Sequence, residues 1–218
     1  MKTNHFLKWI AITISALLLF QSCRSIMMGF YGIKNPDIED SVSLVKYCEK
    51  KGVNTNNLYT LSAEDNIKIL NLIGGSIPEI KIFNSHGQLI PYADKNFCNA
   101  AAFSFIDSLN SKKDFREDTS LSYSDLAEKM RNLNGHLNAP QKNPETNYYI
   151  FIFWTKWTGR LNKTHVIPWE NQALSNPNAK VEVYKVNMDI QQYWKISKED
   201  YIQNLEKPGT NQKLRDRS

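Results

Sequence analysis

Apolar residues recur along the chain at two periods, and the alternation between those periods predicts an α/β protein. From Ser41, the residues Val42, Val45 and Cys48 repeat at helical spacing with Leu44 beside them, and Lys50, Lys51 and Gly52 end the run. A short strand over Leu58 to Leu61 follows. Ser62 then caps a second helix, with Asp65 in its first turn, Ile69, Leu70 and Ile73 as its apolar stripe, and Gly74 and Gly75 as its stop. Ile77 to Phe83 reads as a strand with Ile80 and Ile82 on one face, Asn84 to Gly87 supplies turn residues, and Gln88 to Tyr92 returns as a second strand. Helical spacing resumes at Cys98, Ala101, Ala102, Phe105, Ile106 and Leu109. Residues 110 to 121 are charged and polar and read as a linker. A helix is predicted from about Ser122, through Tyr123, Leu126, Ala127, Met130 and Leu133, to a stop at Gly135, and a loop with Pro140 and Pro144 leads out of it. Tyr148 to Phe153 and Val181 to Met188 are the last two strands. The first of these is apolar at every position, which requires cover on both faces, so the helices are expected on both sides of a mixed sheet.

The N-terminus follows a different pattern. Lys2 and Lys8 precede an uncharged, mostly apolar run from Trp9 to Phe20 that is short for a bilayer span, and Ser22 is a small residue just before Cys23. This arrangement resembles a bacterial lipoprotein signal, departing from the usual box at Phe20 and Gln21. The resemblance implies cleavage before Cys23 and lipid, palmitate included, on its sulfur. Arg24 and Ser25, with no acidic residue near them, imply an outer-membrane lipoprotein facing the periplasm. An uncleaved anchor and an ordinary secretory signal are the alternatives. Residues 23 to 40, with Gly29, Gly32 and Pro36, then read as a tether.

Charge changes the picture little. The chain carries a net +5, and removing residues 1 to 23 takes away two lysines and no acids, leaving +3. The basic residues are scattered except in the polar tail over 207 to 218, which reads as a solvated terminus, so nothing argues for nucleic acid. His5, His86, His136 and His165 have no metal-ligand spacing, no Cys-x-x-Cys occurs, and neither a Gly-x-Ser-x-Gly elbow nor a glycine-rich phosphate loop is present. No metal or cofactor is called for. With Cys23 set aside for lipid, Cys48 and Cys98 remain, and a disulfide between them and two separate buried hydrophobes both fit.

The stretch YYIFIFWTKWTGRLNKTHVIP, from Tyr148 to Pro168, is the most informative. A buried strand enters the turn Trp157, Thr158, Gly159, Arg160, Leu161 and a helix with Pro168 further along. This resembles the active-site segment of the thioredoxin-like superfamily, with Thr158 and Leu161 where the family has its two cysteines. A dithiol enzyme needs one thiolate nucleophile and one resolving thiol, and these side chains supply neither. The resemblance therefore implies the frame without the redox activity. The strand pair around Asn84 to Gly87 with its closing helix resembles the C-terminal half of the same fold, and Pro78 takes the place of the family's cis-proline, although a trans proline starting a strand fits equally.

The halves come in reversed order: residues 41 to 110 resemble the family's C-terminal part and residues 111 to 206 its N-terminal part. One circularly permuted domain and two incomplete units sharing one sheet both satisfy this order. A groove lined by Trp157, Thr158, Arg160 and Pro78 would suit an extended peptide, with His165 nearby. The expected function is a membrane-anchored binding or assembly module with a protein or peptide partner. A thiol redox enzyme using Cys48 or Cys98 and a purely structural envelope lipoprotein are the other readings.

Overall fold

The computed structural model describes residues 28–92 and 101–206. The expected signal peptide, Cys23, Cys98 and the tail from 207 lie outside the described residues. The strands are β1 (Ile38–Glu39), β2 (Leu58–Tyr59), β3 (Glu79–Asn84), β4 (Gln88–Ile90), β5 (Asp118–Ser122), β6 (Tyr148–Trp154), β7 (Val181–Asn187) and β8 (Ile190–Gln191). The α-helices are α1 (Ser41–Lys51), α2 (Ala63–Leu72), α3 (Ala101–Asp107), α4 (Tyr123–Ala127), α5 (Ile167–Leu174) and α6 (Lys198–Glu206). Among the described residues no helix is long and apolar enough to cross a membrane.

Strand β6 organises the molecule because all of its residues are buried. It pairs parallel with β7 from Tyr148–Val181 to Trp154–Asn187, and antiparallel with β3 from Asn84–Tyr148 to Glu79–Phe153. The sheet runs β2-β7-β6-β3-β4-β5, so strands from both halves of the chain interleave in one mixed sheet. Successive β6 side chains point to opposite faces. Ile150, Ile152 and Trp154 join Cys48 of α1, Ala102 and Ile106 of α3, and Trp169 and Ala173 of α5. Tyr149, Phe151 and Phe153 join Ile69 of α2, Leu126 and Ala127 of α4, and Tyr184 of β7. Each buried aliphatic or aromatic side chain of this kind contributes roughly 1.5–3 kcal/mol. Helices thus cover both faces, which is why β6 tolerates no polar position.

The helix ends use the caps their sequences offer. Asp40 accepts from Ser43 N–H at the start of α1, and Gly52 ends that helix in the left-handed conformation. Ser62 accepts from Asp65 N–H at the start of α2. The buried positions of α1 are Leu44 and Cys48, whereas Val42 of the expected stripe is exposed. Two other elements differ from expectation. The polar segment before Ser122 carries an edge strand, β5, which pairs with β4 across a register shift and buries only Leu121. Alternation is weak there because one edge of the strand faces solvent. The helix expected to reach Gly135 ends at Ala127. Beyond it the backbone of Arg131 exchanges hydrogen bonds with Thr60 (2.9 and 2.8 Å), while Asn132 accepts from the N–H groups of Asn134 and His136 in a tight turn. Met130 still reaches the core from this irregular segment, so its helical spacing was coincidental.

Candidate functional site

At the C-terminal end of β6 the chain leaves the sheet through a single 3-10 turn, Lys156–Thr158. A π-helical turn, Asn162–Val166, then leads into α5. Pro168 has no N–H to give an α-helical partner four residues back, and the widened turn before it accommodates the missing bond. Thr158, where the resemblance puts a thiol, is only 1% exposed. Its hydroxyl lies 2.8 Å from the Thr155 carbonyl oxygen and 3.0 Å from Asn162 Oδ1, both acceptors. Asn162 in turn donates from Nδ2 to Tyr47 Oη (2.9 Å) and to the Thr155 carbonyl (2.7 Å). The Thr158 side chain thus stitches the turn together from inside.

Outside the turn lies a cavity of about 520 Å³, lined by residues from four separate segments. The turn and the start of the following helix give Lys156, Trp157, Gly159, Arg160 and Lys163. Helix α1 gives Tyr47 and Lys51, the segment before it gives Gly32, Lys34, Asp37 and Glu39, and the β7–β8 corner gives Asp189. The segment read as a tether is therefore part of the wall. It is docked there by Lys34 N–H donating to the Trp157 carbonyl (2.9 Å) and Arg160 Nη1 donating to the Phe30 carbonyl (3.0 Å). Gly159 permits the approach: its φ is +60, and a Cβ there would fall 2.3 Å from the Gly32 carbonyl oxygen.

The charged groups of the wall are unevenly satisfied. Lys156 is ion-paired with Glu39, which also accepts from Ser43 Oγ. Asp189 is 1% exposed and accepts through Oδ2 from the Lys156 N–H (2.8 Å) and Asn187 Nδ2 (2.7 Å). Its Oδ1 is buried with no hydrogen-bond partner among the described residues. Burial, helped by the nearby Glu39 carboxylate, pushes Asp189 up to about 7 against the bonds to its charged form.

The structure brings Trp157 and Arg160 to the cavity and leaves two other expected residues out of its lining. Thr158 faces inward. Pro78 is buried one residue before the Glu79–Phe153 pair, so it sits at the same end of the sheet as the turn, and the Ile77–Pro78 bond is cis. His165 does not line the cavity either; its ring packs edge-on against Trp169, and burial lowers its pKa. Cys48 is fully buried, and desolvation raises its thiol to about 11. Among the described residues no cluster of His, Cys, Asp or Glu is suited to hold a metal ion. The sequence by itself gives no role to Asp189, Glu39, Tyr47 or Asn162, since none stands in a local motif. Comparison with protein-family models, curated proteins and solved structures finds no match for this chain.

Proposed function

We propose that this protein is a lipid-anchored, periplasm-facing member of the thioredoxin-like superfamily that has lost dithiol chemistry and acts as a binding module, with the cavity beside Trp157 and Arg160 as its site. The observation that carries the reading is the turn itself. It leaves the central strand at the edge where open α/β sheets place ligand crevices, and it presents Trp157 and Arg160 to a cavity whose lining, among the described residues, contains no thiol. The sheet supports the family assignment. Strand β3 lies antiparallel on one side of β6 and β7 parallel on the other, so the reversed halves meet in one layer, as a permuted domain requires. The thiol-enzyme reading loses support from Cys48, which is buried and protonated, whereas the attacking species in exchange is an accessible thiolate.

Two measurements on the full chain test this. A photo-crosslinking residue at position 157 should capture a discrete partner in intact cells, and the same residue at Leu137, exposed and outside the cavity, should not. Insulin-disulfide reduction should stay at background; turnover lost in Cys98→Ser would overturn the proposal.

A further inference from the structure

The cavity holds more positive charge than its own ion pairs use. Lys34, Lys51, Arg160 and Lys163 line it, and none of the four is ion-paired with a described residue. Lys156 is committed to Glu39, which leaves Asp37 as the exposed acid of the wall among the described residues. Asp189 lines the same cavity, and its buried Oδ1 has no hydrogen-bond partner among the described residues. A buried polar atom without a partner costs about 1–3 kcal/mol, so such atoms in native folds call for an explanation. In a wall that Asp189 shares with these cations, an ionised carboxylate would repel an anionic ligand, whereas a protonated Oδ1–H would donate to it.

We infer that the cavity takes an acidic peptide segment, its carboxylates held by Arg160, Lys34 and Lys163, and that one proton enters from water onto Asp189 Oδ1 to donate to a bound carboxylate. The inference rests on the reading of this cavity as the module's binding site. Charge complementarity selects the occupant, and the volume lies within the roughly 300–1,000 Å³ usual for ligand sites. The charged and titratable groups around Asp189 are Lys156 on the turn, Glu39 on β1, Tyr47 and Cys48 on α1, and Tyr201 on α6. Burial raises both tyrosines and the thiol above their ordinary values, so they stay protonated near neutral pH. Lys156 and Glu39 form an ion pair. Asp189 is the group that changes charge between about pH 6 and 8.

Calorimetric titration of the full chain in detergent tests this, using the free-acid tetrapeptide N-acetyl-Gly-Gly-Asp-Glu, its neutral counterpart N-acetyl-Gly-Gly-Asn-Gln amide, and sodium sulfate. The acidic peptide should bind, about tenfold more tightly at pH 6 than at pH 8, since its own carboxylates titrate well below that window. Lys163→Gln, an exposed substitution, should weaken binding at both pH values. Asp189→Asn, which keeps an acceptor for Lys156 N–H and places a permanent N–H donor at the Oδ1 position, should bind with the pH dependence gone. No binding of the acidic peptide, equal binding of the neutral peptide, sulfate binding as tightly as the peptide, or an unchanged pH dependence in Asp189→Asn would each overturn the inference. Crosslinking at position 157 that persists while the acidic peptide fails overturns this inference alone; insulin turnover overturns the underlying reading.

Discussion

Gly159→Ala separates the strain of a backbone conformation from the docking of the N-terminal segment, and its size can be worked from the structure. Gly159 has φ +60 and ψ −116, a region that favours glycine, so alanine incurs roughly 1–3 kcal/mol of strain wherever the neighbouring chain lies. The new methyl would also stand 2.3 Å from the Gly32 carbonyl oxygen and 2.6 Å from that of Tyr31. Both obstacles are backbone, so no rotamer relieves them and the segment must lift. Lifting gives up the Lys34–Trp157 and Arg160–Phe30 hydrogen bonds, each a net 0.5–1.5 kcal/mol or so, about 2 kcal/mol together. Limited trypsin digestion reads the local opening at the exposed Lys34–Asn35 bond, and 2 kcal/mol corresponds to an increase of roughly 30-fold in the rate of that cut. Gly74→Ala is the control. Its φ of +66 carries the same kind of strain, but a Cβ there meets nothing within 4 Å, so global stability should fall while the Lys34 cut stays slow. If Gly159→Ala leaves the Lys34 cut within about twofold of wild type, the segment is not held against the turn and the reasoning fails.

Three further outcomes are expected. The Asp189 carboxyl, raised to about 7 in the fold against roughly 4 when unfolded, holds a proton between those values that the unfolded chain has lost; its contribution to stability should therefore fall by up to about 1.4 kcal/mol per pH unit between them, and urea midpoints of Asp189→Asn should fall less steeply with pH than those of wild type. A variant with the same slope would refute the assignment. Lys185 and Glu170 are a buried ion pair between β7 and α5, so Lys185→Met should cost about 3–5 kcal/mol by leaving Glu170 uncompensated, and adding Glu170→Leu should recover most of it. Chemical denaturation decides, and a double variant no more stable than the single one would count against the pair. With Cys23 and Cys98 replaced by serine, Cys48 should resist a thiol-specific disulfide reagent in the native protein and react on unfolding; rapid native labelling would place it at the surface.

What the sequence determined by itself was local. The unbroken run from Tyr148 to Phe153 read as a strand covered on both faces. Asp40 and Ser62 sit at helix starts, and Gly52 at a helix end, where neighbouring residues alone satisfy the backbone groups. Hence the α/β class, the mixed sheet and the turn bearing Trp157 and Arg160 were legible. Edge strand β5 was not, because an edge needs little apolar alternation, and the pairing of Lys185 in β7 with Glu170 of α5 depends on tertiary packing. The cavity was decided only by tertiary structure. Glu39 and Lys156, ion-paired in its wall, are 117 residues apart, and Asp189 reaches the same wall from yet another segment. Periodicity and capping act over a few residues, whereas burial of a carboxylate and the pairing of distant charges depend on which segments the sheet gathers at one end.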